Sequence, residues 1–127
     1  MPGSEPLSVL HTVIDAMNRG ENTAGLTNMT DDVVIVDDVS PFRRAGRDEA
    51  EQWFRRLALA RKRLDATLKL ESADVRVEND RAYIVGPGVL LAKLEGADLD
   101  VNGTITATLR ESEGSWLVDG LIWSSTR

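Results

Sequence analysis

The run Asp31-Asp32-Val33-Val34-Ile35-Val36-Asp37-Asp38 decides how this chain folds. Four consecutive β-branched residues favour a strand over a helix, because their branched side chains are stiff and pack well on a pleated surface. The run ends on two carboxylates. Ser40-Pro41 then marks a loop. Ala50, Trp53, Phe54, Leu57 and Ala58 recur at helical spacing, which predicts an amphipathic helix from about Arg47 to Arg63, opened by Gly46. A carboxylate at the end of such a strand is either a general base in a pocket or a loop residue facing water.

Upstream, Leu10, Val13, Ile14 and Met17 share one helical face, and Gly20 follows as a stop. Ser4 suits a helix cap and Pro6 a first turn, so helix 1 is expected from Pro6 to Arg19. Residues 23–30 read as a short second helix. Downstream the period changes to two. Leu68 and Leu70 have one parity, and Ala73, Val75 and Val77 the other, so a β-bulge is expected near Ser72. Asn79-Asp80, Gly96 and Glu113-Gly114 read as turns between strands. Gly86-Pro87-Gly88 interrupts one of those strands and implies an edge or a bulge. Helices first and an antiparallel meander afterwards define an α+β domain, with helices on one face of a bent sheet.

The bulk composition narrows the chemistry. The 127 residues suffice for one compact domain. Lys and Arg number 15 against 21 Asp and Glu, a formal charge of −6. The one basic cluster, Arg61-Lys62-Arg63, is short, which argues against nucleic acid as a partner. No apolar run approaches a membrane span. The first residues lack the charged and apolar regions of a leader, so a cytoplasmic location is expected. There is no cysteine and one histidine, His11. Thiolate metal sites, cysteine nucleophiles and histidine-rich sites are therefore excluded. No metal and no cofactor is expected, and the available chemistry is that of carboxylates, hydroxyls, amides, arginine and Tyr83.

The order of elements, with Gly20 after helix 1, Asp31-Asp32 before the first strand, Asp37 at its end, Gly46 opening helix 3 and Gly114-x-Trp116 through Trp123 closing the chain, resembles the nuclear transport factor 2-like superfamily. Within that cystatin-like α+β cone, the chain looks most like the SnoaL-like and ketosteroid isomerase-like branches, from Leu7 to Trp123. The resemblance implies a curved sheet with three helices on its concave face. It also implies a proton-shuttling carboxylate at Asp37. The isomerases stabilise an oxyanion with a tyrosine and a protonated aspartic acid. Val13 and Thr106 fall at those two positions, so Thr106, or a water it holds, would meet the developing charge.

Around Asp37, Asp38 would face the opposite side and meet solvent or a cation. The alternative for Asp37 itself is a solvated strand end beside Arg43 or Arg44. Asp119 has the parity of Leu121 and Trp123. It reads either as a second site carboxylate or as a turn residue before Gly120. Val13, Met17, Trp53, Tyr83 and Trp123 would line an apolar ligand pocket or form ordinary core. His11 is expected at the helix surface. If Thr106 points into the cone, Thr104 and Thr108 do too, and Ile105, Ala107 and Leu109 must face outward. An outward apolar row needs a cover, so a homodimer through the outer sheet face is expected.

Two functions follow. One is a cofactor-free acid–base enzyme of isomerase, dehydratase or cyclase type. It would act on a small apolar carbonyl or polyketide-like molecule, with Asp37 as the shuttle. The other is a non-catalytic module of the same fold that binds a small molecule or dimerises.

Overall fold

The computed structural model describes residues 5–126. Ser4 lies outside the described residues. Helix α1 spans Pro6–Arg19, and Glu5 stands at its N-cap. The turn after it needs a positive φ, which Gly20 supplies at 73°, so the helix stops where the sequence places the stop. Helix α2 is the six residues Asn22–Thr27. It ends earlier than the 23–30 reading, because strand β1 already begins at Met29 and runs to Val36. Strand β2 is Arg43–Ala45, and helix α3 covers Arg47–Leu64. Asp48 and Glu49 lie in the first turn of α3 and Arg61-Lys62-Arg63 in the last, where each sign of charge complements the helix dipole.

The remaining strands are β3 (Thr67–Leu70), β4 (Asp74–Glu78), β5 (Arg81–Leu94), β6 (Ala97–Ser112) and β7 (Ser115–Ser125). They form one curved sheet in the order β2-β1-β7-β6-β5-β3, with β4 also beside β5. Strand β1 runs parallel to β7, and the other pairings are antiparallel. Two tight turns carry Glu95-Gly96 and Glu113-Gly114, each with two positive φ values. That is the turn geometry whose twist matches a hairpin.

The expected bulge near Ser72 is a full break. Strand β3 pairs with Gly88–Leu91 of β5, β4 pairs with Ala82–Val85 and Arg81, and Glu71–Ala73 lies between. Gly86 sits against the Ser72 backbone, where a Cβ would clash. Strand β5 runs straight through Pro87. The Pro87 carbonyl accepts from Glu71 N–H at 2.9 Å, so its missing N–H faces the same gap and breaks no ladder.

Alternate residues of each strand point to the helices. Val33 and Ile35 of β1, Val118 and Leu121 of β7, Ile105, Ala107 and Leu109 of β6, and Ala82 and Ile84 of β5 form the inner face. They pack on Leu10, Val13, Ile14 and Met17 from α1 and on Ala50, Trp53 and Phe54 from α3. All these side chains are buried, and they fill the cone as one continuous core. Val13 and Met17 are part of that core.

This corrects the expected orientation of β6. Ile105, Ala107 and Leu109 face inward, and Thr104, Thr106 and Thr108 face away from the helices. Moving a strand by one residue turns every side chain to the other face, so an alignment one step off inverts the row.

Candidate functional site

Asp37 follows β1 directly and keeps the parity of Val33 and Ile35, so its carboxylate turns toward the helices. Strand β2 then returns antiparallel to β1, with Ile35 opposite Arg44. That register brings Arg44 onto the same face. Arg44 Nη1 donates to Asp37 Oδ1 at 2.6 Å. The two side chains are only 7% and 11% exposed. Trp53, one and a half turns into α3, donates its indole Nε1–H to Asp37 Oδ2 at 2.8 Å. The Val39 backbone N–H donates to Asp37 Oδ1 at 3.1 Å.

The carboxylate therefore holds a guanidinium, an indole and a backbone amide at once. It ties the β1 end, the following loop, β2 and α3 together. A general base needs a lone pair free toward the substrate. Asp37 accepts three bonds, two on Oδ1 and one on Oδ2, so of its roughly four lone-pair positions one on Oδ2 remains. The Trp53 ring that holds Oδ2 stands edge-to-face against Phe54 at 5.2 Å. The geometry is that of a structural pin. Asp38 accepts a 3.2 Å bond from Ser125 N–H at the surface, on the other side of the chain.

The other sequence-derived candidates do not gather around Asp37. Thr106 pairs with Val85 and Ile122 on the outer face, so it cannot meet an oxyanion inside the cone. Asp119 also lies outside. The β6–β7 register shifts between Thr108 and Leu109, and this irregularity breaks the parity that linked Asp119 to Leu121 and Trp123. Its carboxylate accepts from Thr108 Oγ1 at 2.6 Å and from Arg81 Nη1 at 3.1 Å. Tyr83 lies beside Thr108 on the same outer face and is 50% exposed, so it lines no interior pocket. Trp53 and Trp123 do point inward. Trp123 packs on the core and over Gly103, where its ring leaves no room for a Cβ. His11 is exposed on α1.

Concavities lie at the rim of the cone. One of about 410 Å³ lies between the loop after β1, β2 and α3, with Arg43, Arg44, Trp53 and Arg56 in its wall. A second of about 560 Å³ is more open and includes Asp31, Asp32, Arg47 and Arg110. Ion pairs fill much of its wall, with Arg47 on Asp31 at 3.0 Å and Arg110 on Asp32 at 2.8 Å. The Thr30 hydroxyl beside Asp32, and then the Arg110 guanidinium, hold that carboxyl below the usual carboxylate range. The hydroxyl lies outside good hydrogen-bond geometry, so the guanidinium is the firmer contact. Among the described residues, no cluster of three or more His, Asp or Glu side chains is placed to hold a metal. No helix among them is long and apolar enough to cross a membrane.

Helices preceding a curved sheet, with the first strand parallel to the last, define a cystatin-like α+β cone. The fold is that of the nuclear transport factor 2-like proteins. No family model matches the sequence, and no curated protein matches it. Solved structures do. A nuclear transport factor 2-like protein with a cystatin-like fold from Novosphingobium aromaticivorans superposes with a TM-score of 0.81 at 15% identity, covering 92% of this chain and 77% of that one. A protein from Xanthomonas campestris described as a calcium/calmodulin dependent protein kinase II association domain gives 0.78 at 21% identity, covering 94% and 84%. A ketosteroid isomerase-like protein from Erwinia carotovora atroseptica gives 0.77 at 19% identity, covering 96% and 94%.

Proposed function

We propose that this protein is a non-catalytic assembly module, and that it forms a homodimer through the outer face of its sheet. The observation that carries the reading is the state of Asp37. It is the inward-facing carboxylate at the strand end, and both of its oxygens are held by donors from Arg44, Trp53 and Val39. Around it the cone is filled with packed side chains.

The outer face supports assembly. Val34 and Val36 of β1, Ile122 of β7, Thr106 of β6 and Val85 and Tyr83 of β5 lie across neighbouring strands on the face without helices. Val85 is 43% exposed and Tyr83 50%. A one-sided antiparallel sheet that faces water carries polar residues on that side. The middle of this one carries valine, isoleucine, threonine and tyrosine, and its charged residues, Arg81 and Asp119, lie at one end beside Thr108. A second copy is the simplest cover, because a two-fold axis lets one patch meet itself. The likeness to an association domain agrees with this reading by analogy of fold.

The test is the mass of the particle in solution. Wild type should run at twice the chain mass by size-exclusion chromatography with light scattering, and Thr106→Arg should run at the chain mass with an unchanged circular dichroism spectrum. A monomeric wild type at micromolar concentration would remove the proposal.

A second reading keeps acid–base catalysis on a small enolisable carbonyl compound. It is favoured by one observation: Arg44 and Trp53, which hold Asp37, also line the 410 Å³ concavity, so the carboxylate is one side chain from solvent. The likeness to a ketosteroid isomerase-like protein points the same way. Turnover of a small cyclic ketone by wild type, abolished in Asp37→Asn, would establish it. The assembly reading expects no wild-type turnover.

A further inference from the structure

The 410 Å³ cleft carries a charge that the rest of the protein does not lead one to expect. The chain is acidic overall, at −6. Yet three guanidiniums, from Arg43, Arg44 and Arg56, border this one cleft. Arg44 is spent on Asp37. Arg56 Nη1 donates to the Ser40 carbonyl at 3.2 Å and forms no ion pair among the described residues. Arg43 has no side-chain hydrogen bond or ion pair among them. The opposing charge in the wall is Glu49, whose Oε1 already accepts from Ala45 N–H at 2.8 Å. With Asp37 and Glu49 both counted, a positive excess remains.

The other walls are Pro41, Gln52 and Trp53. Proline and the indole edge offer apolar surface, and the Gln52 amide can donate or accept. The volume falls in the range of small-molecule sites and far exceeds a bare inorganic ion. Guanidiniums form charge-assisted, forked hydrogen bonds with planar anions.

From this combination we propose that the cleft between the β1–β2 loop, β2 and α3 binds a small organic carboxylate, with its charged end between Arg43 and Arg56 and its apolar body against Pro41 and Trp53. The single positive excess matches a monoanion. The site lies on the helix side of the rim and does not depend on whether the outer sheet face assembles.

The experiment is a nitrogen–proton NMR titration of the whole chain, reading the Trp53 indole resonance. Benzoate is the probe and benzamide the uncharged control of the same shape. Benzoate should shift the resonance saturably. Arg43→Gln and Arg56→Gln should each weaken that binding by about tenfold, the low end for a lost hydrogen bond to a charged group. Both side chains are exposed, so neither variant threatens the fold. Arg76→Gln, on β4, is the control for general charge and should leave it unchanged. The proposal is overturned if benzoate gives no saturable shift. It is equally overturned if benzamide binds as well, or if both cleft variants bind like wild type.

Discussion

Removing the Asp37 carboxylate should destabilise this protein more than any other single change at the strand end. Asp37→Ala leaves Arg44 with its side chain 7% exposed and no counter-charge. Breaking a buried ion pair from one side costs about 3–5 kcal/mol, because the remaining charge stays desolvated. The Trp53 indole loses its acceptor as well, while the Val39 amide lies at an exposed position where water can replace the bond. Asp37→Asn keeps one oxygen for Trp53 but removes the charge, and should cost about 2 kcal/mol, within the span for hydrogen bonds to charged groups. A domain of this size has roughly 5–15 kcal/mol in total. The alanine variant should therefore lower the urea midpoint by about 2 M, with an unchanged slope of ~1–3 kcal/mol per molar. The double change Asp37→Leu with Arg44→Met should recover more than half of the loss, since an apolar pair leaves no stranded charge. Equilibrium urea unfolding at pH 7, followed by tryptophan fluorescence, reads all four proteins. Catalytic groups held in strained or underused surroundings often give more stable proteins when removed. An Asp37→Ala protein as stable as wild type, or more stable, would refute the pin and restore the acid–base reading.

Other contacts give further outcomes. Gly25 of α2 lies so close to the Phe54 ring that a Cβ would overlap it, so Gly25→Ala should cost about 1–3 kcal/mol by overpacking, read from the thermal midpoint. Asn18 bridges α1 to β3, donating to the Leu68 carbonyl and accepting from Leu68 N–H at 2.9 Å each, and Asn18→Ala should cost about 1–3 kcal/mol in urea unfolding. Asp32 has its folded pKa lowered. Its contribution to stability is therefore present above the unfolded value and lost as pH falls through the folded one. Carboxyl-detected NMR of Arg110→Gln should show Asp32 titrating at higher pH than in wild type, and an unmoved titration would assign the shift to Thr30 alone.

The extent of the sequence's reach is clearest at three places. Helix α1, the Gly20 stop and the Gly46 start of α3 were legible because apolar periodicity and glycine conformations are local properties. Strand β2 was not. Its three residues carry no periodic signal, and they exist as a strand because Val34–Val36 offer a partner edge. The face of β6 has a different reason. Its apolar row, Ile105, Ala107 and Leu109, packs under the helices as that pattern suggests by itself, whereas the family resemblance implies Thr106 on that face. Asp119 shows the limit of parity. One irregularity in the β6–β7 ladder moves the carboxylate to the far side of the sheet, and no residue type announces it. For Asp37, the nearby Arg44 in the sequence hinted at an ion pair. Trp53 completes the pin from another element, sixteen residues on, and its indole reads equally well as pocket lining or core.

The most direct test of the account is where two copies touch. A sample mixed from carbon-13-labelled and unlabelled chains, examined by isotope-filtered NOE spectroscopy, reports only contacts between copies. The account predicts cross-peaks linking the Val85, Thr106 and Ile122 methyl groups and the Tyr83 ring of one copy to the same outer face of the other. Their absence, or contacts arising instead from α3 and the β2 rim, would contradict it.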